Sequence, residues 1–132
     1  MGLLAYLRDD PTPVRLFSCE PYNYPKYAHF DHARSTTIAD GLLLETPHPQ
    51  VQQAIAEERV AISLVPEAEI RTALKDLFAV QAVVVEPSSA ITLAFVKARA
   101  EQLEEPICVI LTGENIVRED HRRLIAAAVS DA

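Results

Sequence analysis

The chain has 132 residues, 49% of them hydrophobic, with 12 basic against 19 acidic side chains and a net charge of −7. That length suits one domain, residues 1–132, and the hydrophobic share is enough for a real core, which excludes a disordered chain. The dense basic cluster Arg118, His121, Arg122 and Arg123 is interleaved with Glu119 and Asp120, so nucleic acid is not an expected partner.

Met1 to Arg8 is too short an apolar run for a membrane span and lacks the basic start and cleavage site of a signal peptide, so a cytoplasmic protein without membrane attachment is expected. Residues 3–8 read as the end of a helix that stops at Asp9-Asp10-Pro11-Thr12-Pro13. Val14 to Cys19 reads as a strand ended by Glu20-Pro21, and Tyr22 to Arg34 as an irregular segment carrying one short helix. Within it His29-x-x-His32 with Asp31 has metal-ligand residue types, but nothing else gathers around them, and solvent-facing loop histidines are the better reading. Asp40-Gly41 is a turn signal, and Pro47 and Pro49 stand where a helix starts, with Val51, Ala54 and Ile55 inward.

Val60 to Val65 is the next strand and runs into Pro66-Glu67-Ala68-Glu69, which puts proline and two acids in the first turn of a helix. Ile70, Ala73, Leu74, Leu77 and Phe78 recur at helical spacing and predict one buried stripe. Ala82 to Val85 follows as a β-branched strand. Ser88 or Ser89 can cap a helix running to about Leu103, apolar on two sides: Ile91, Ala94, Phe95 and Ala98 on one, Leu93 and Val96 on the other. Ile107 to Leu111 is apolar at every position, as in a parallel strand covered on both faces. Arg118 to Val129 closes the chain as a helix with Leu124, Ile125, Ala128 and Val129 inward. Cys19 and Cys108 each fall in an apolar strand-like run and read as small hydrophobes in a reducing compartment. The alternation predicts an α/β layered sandwich, a mainly parallel sheet flanked by helices.

Three segments carry more than fold. Thr36-Thr37-Ile38-Ala39-Asp40-Gly41, Val83-Val84-Val85-Glu86-Pro87-Ser88-Ser89-Ala90 and Ile107 to Asn115, in this order, resemble the C-terminal part of the catalytic domain of fold-type II pyridoxal-phosphate enzymes, the threonine/serine dehydratases and serine racemases above all. Met1 to Asp10 is similar to the helix that follows that family's glycine loop. The resemblance implies pyridoxal phosphate as the parent cofactor, with Gly41, Glu86, Thr112 and Gly113 beside it. Thr112 would set its hydroxyl against the pyridine nitrogen, Gly41 would bring backbone close to the ring, and Glu86 would lie near the ring edge. This chain departs from the common serine in the turn at Thr112, and Glu114 adds charge there. A threonine synthase is a second possible parent.

Each of these residues also has a plain structural reading. Asp40-Gly41 is an ordinary turn. Gly113 can supply a positive φ with Asn115 capping the next helix, and Glu86 can anchor a helix N-terminus. The family's Schiff-base lysine motif and glycine loop have no counterpart here: the lysines are Lys26, Lys75 and Lys97, the glycines Gly2, Gly41 and Gly113. The expectation is a truncated dehydratase-like ammonia-lyase with no catalytic residue of its own, binding no cofactor alone. Some family members hold a divalent cation, and Glu20 matches the first ligand, but Lys26 stands at the aspartate position, so no metal site is expected. The alternatives are a self-associating module, a homodimer or higher homo-oligomer, and a small-molecule-binding module that keeps the Thr112/Gly41 half-pocket.

Overall fold

The computed structural model describes residues 2–7, 13–28, 36–43 and 48–130. The fold is mixed α/β, with a small parallel sheet flanked by helices. Strands β1 (Phe17–Pro21) and β2 (Ala61–Val65) pair in parallel, in register from Phe17 opposite Ala61 to Pro21 opposite Val65. Parallel pairing requires a crossover, and that connection ends in helix α2 (Pro49–Ala56), which Pro49 opens and Ala54 anchors inward. β1 begins three residues after the predicted start at Val14 and runs two residues past the predicted end at Cys19. Pro21 is tolerated because β1 has one neighbour among the described residues, which leaves a side where a missing N–H costs nothing.

Helix α3 (Glu67–Gln81) starts directly after β2, with Pro66 at its N-cap and Glu67 and Glu69 in the first turn. Its buried stripe is Ile70, Ala73, Leu74 and Leu77. Phe78, predicted in that stripe, is 44% exposed and sets its ring edge-on to His121, centroids 5.4 Å apart. Helix α4 (Pro87–Arg99) packs on α3 and on both strands. Ile91, Ala94 and Phe95 are buried in the core with Val65, Ile70 and Leu74, while Leu93 and Val96 pack half-buried against it. This is the two-sided burial expected of an apolar helix between layers; Ala98 lies outside it, exposed. The Phe17 and Phe95 rings, 5.0 Å apart, join sheet to helix. Helix α5 (Arg118–Ser130) closes against α3, with Leu124 and Ile125 half-buried on the core. The short N-terminal helix α1 (Gly2–Tyr6) leaves Leu3 and Tyr6 exposed. The predicted helix stop at residues 9–12, the His29/Asp31/His32 group, Pro47 and the side chains of Ala128 and Val129 lie outside the described residues.

Two predicted strands are not strands. Among the described residues, 82–85 and 107–111 belong to no helix and enter no ladder, and Ala82 closes α3 in a left-handed conformation. Instead of being covered on both faces, Ile107, Ile110 and Leu111 are 38, 51 and 39% exposed, and Cys108 is exposed rather than packed. β-Branched composition favours an extended backbone, whereas a strand also needs a neighbour to bond to. The Val83 N–H is used in closing α3, where it donates to Leu77 O (3.1 Å).

Candidate functional site

The segment before Gly41 is pinned from two directions. Ile38 N–H donates to Glu67 Oε2 (2.9 Å) at the start of α3, and Ala39 N–H donates to Thr37 Oγ1 (3.1 Å). Asp40 Oδ1 then accepts from Gly41 N–H (2.9 Å), and residues Asp40–Leu42 form one 3-10 turn. The start of α4 faces it. A Cβ on Gly41 would come 2.7 Å from Ser88 Oγ, so a larger residue would push that side chain aside.

The carboxyl ends of residues 82–85 and 107–111 meet at the same place. Glu86 N–H donates to Gly113 O (3.2 Å), and Gly113 N–H donates to Ser89 Oγ (3.4 Å). The Glu86 side chain lies flat against Gly113, where a Cβ would overlap its Oε1, and the same oxygen is 3.5 Å from a Cβ built on Gly41. Gly41, Glu86 and Gly113 therefore converge. Thr112 is exposed and, like Gly41 and Gly113 themselves, is not part of the cleft lining.

Three plain readings need correction. Gly113 has no positive φ, so its small size serves the approach of Glu86. Asn115 caps no helix, because α5 begins three residues later at Arg118. The N-cap of α4 is Glu86 rather than Ser88 or Ser89, since Pro87 already sits at the first helical position, and no side chain bonds the cap.

A cleft of about 370 Å³ opens here, lined by Ile38, Asp40, Glu86, Pro87, Asn115, Ile116, Val117 and Asp120. Asp120 had no site role in the sequence reading, and Asn115 only that of a helix cap; the one signal for Asp120 was an acid in a helix's first turn. Three carboxylates and no cation line the space. The lysines lie elsewhere: Lys26 is buried beside Glu20, Lys97 pairs with Asp76, and Lys75 projects from the exposed side of α3. By themselves these side chains do not fit pyridoxal phosphate, because an aldehyde finds no amine here and a phosphate would face like charge.

Glu20, which the sequence set just past the strand, lies buried within β1. It is 5% exposed, and its carboxylate accepts three backbone N–H groups, from Lys26 (3.1 Å), Tyr27 (2.9 Å) and Ala28 (3.2 Å). Burial pulls the Lys26 ammonium below the ordinary lysine range, and the charge of Glu20 partly offsets this. The carboxylate is thus committed to the backbone N–H groups of residues 26–28. Cys19, in β1, has its thiol pushed up to about 11 by burial, against the lowering effect of the Arg99 guanidinium.

No helix among the described residues is long and apolar enough to cross a membrane. No curated protein matches the chain. Solved structures do. A threonine deaminase from T.th. superposes with a TM-score of 0.76 at 25% identity, over 88% of this chain and 45% of that one. A pyridoxal 5'-phosphate-dependent aspartate racemase gives 0.70 at 23% identity, over 89% and 41%, and maize serine racemase 0.71 at 22%, over 93% and 41%. This chain spans less than half the length of each. A family profile described as pyridoxal-phosphate dependent enzyme matches residues 1–113, and the chain belongs to that family.

Proposed function

We propose that this chain is the rear part of a threonine/serine dehydratase-like ammonia-lyase, and that alone it turns over no substrate. One observation carries the reading: the cleft that Glu86 borders, next to Gly41 and Gly113, is lined by the carboxylates of Asp40, Glu86 and Asp120 and by no lysine. The likeness to a threonine deaminase over 45% of that chain supports the parentage. In a complete enzyme the cofactor supplies the electron sink for elimination. Gly41 and Gly113 would then admit close backbone approach, Glu86 would border the ring, and Thr112 would offer a neutral hydroxyl. The amine and the phosphate seat would come from outside this chain.

The test is direct. Purified chain mixed with pyridoxal phosphate is expected to show no discrete internal-aldimine absorbance and to release no keto acid from threonine or serine. A stoichiometric, borohydride-trapped adduct on one lysine, together with keto acid release proportional to chain concentration, would overturn the proposal.

A further inference from the structure

The lack of an amine and of a phosphate seat is not the only misfit between this region and the family's cofactor. The ground that a flat ring would need beside Gly41 and Gly113 is taken by the chain itself. Glu86 Oε1 lies 3.5 Å from a Cβ built on Gly41, and the same side chain covers the place of a Cβ on Gly113, with Cγ at 2.9 Å. Little holds the carboxylate there: among the described residues it caps no N–H, accepts no hydrogen bond and joins no ion pair. Next to it Ser88 Oγ lies 2.7 Å from the Cβ built on Gly41 and is buried with no hydrogen-bond partner. Buried hydroxyls are nearly always paired, so an orphaned one beside bare glycine backbone suits the polar atom of a ligand.

We propose that Glu86 is a movable plug: its carboxylate yields its place against Gly41 and Gly113 to a flat, uncharged aromatic ring, one polar atom of which pairs with Ser88 Oγ. A carboxylate and an aromatic ring are both flat, with a thickness of roughly 3.5 Å, so one can replace the other against backbone that carries no side chain. The surroundings set the charge of the ring. Asp40 and Asp120 line the adjoining cleft and oppose an anion, while the positive end of α4, which opens at Pro87, opposes a cation beside Ser88. A neutral hydroxypyridine satisfies both. Swung aside, Glu86 still borders the ring. The inference rests on the proposed parentage for the class of ring, and it asks nothing of turnover, which needs an amine.

Pyridoxine is the probe, since it has the ring but neither the aldehyde that a lysine could trap nor a phosphate. Isotope labelling of glycine alone gives three amide resonances, Gly2, Gly41 and Gly113. Millimolar pyridoxine is expected to shift Gly41 and Gly113 of the wild-type chain and to leave Gly2 in place. E86A removes the plug and is expected to tighten binding by about tenfold, and S88A added to E86A to give back about fivefold for the lost hydrogen bond. E86Q keeps the bulk without the charge and should bind no tighter than wild type. Wild-type Gly41 and Gly113 resonances that stay still at every concentration would overturn the proposal without any variant. So would E86A binding no tighter than wild type, or E86Q binding as tightly as E86A, which would make charge rather than bulk the barrier; S88A without effect would refute the pairing with Ser88. Keto acid release or a lysine adduct with pyridoxal phosphate would end catalytic silence and leave these outcomes as they are.

Discussion

His121 shows how one side chain can make the fold sensitive to acid. It is 2% exposed, its ring meets Phe78, and its Nε2 has no hydrogen-bond partner. Burial holds its pKa below the ordinary 6.5. A depressed histidine takes up a proton later in the folded chain than in the unfolded one, so stability is full above 6.5 and declines as pH falls towards the folded value. H121F, which keeps the aromatic contact and removes the titration, is expected to flatten stability against pH in that window, measured by urea denaturation. An unchanged slope would show that the acid sensitivity arises elsewhere. The sequence placed His121 in a basic cluster and gave no sign of its burial, because which face of α5 meets α3 depends on Phe78. The same holds for Glu20: residue identities named a carboxylate and a lysine, but not that the N–H groups of residues 26–28 converge on that carboxylate.

At the scale of elements, the helices were the legible part, and α3 shows why. Its start is written in Pro66, Glu67 and Glu69 and its inner face in a helical period of about 3.6 residues, both local properties of the chain. Its end is unusual: the C-cap Ala82 is left-handed, with φ 54° and ψ 24°, a conformation normally given to glycine. Glu58, just beyond α2, has φ 56°. With only three glycines in the chain, these caps carry side-chain strain that glycine would relieve. A82G is therefore expected to raise unfolding stability by up to about 1 kcal/mol, read as a higher denaturation midpoint at unchanged m-value. A lower midpoint would mean that the extra freedom of glycine in the unfolded chain outweighs the strain. Strands were less legible, because 60–65 and 82–85 look alike in composition and, among the described residues, only the first finds a neighbour.

For the whole molecule, the sequence and the structure agree on layering and part at the sheet. The core formed by Val65, Ile70, Leu74, Ile91 and Phe95 follows from helical and strand periodicities. The convergence of Gly41, Glu86 and Gly113 could be anticipated only through likeness to a family, since the three lie far apart in sequence. The two thiols offer a clock for the state of the open face. Cys19 is half-buried in β1, with its proton tightly held, whereas Cys108 lies exposed within 107–111. Maleimide should thus label one sulfur per chain quickly, and the thiolate that reacts first reports on that segment. Labelling of Cys108 as slow as that of Cys19 would mean that the segment is covered in solution.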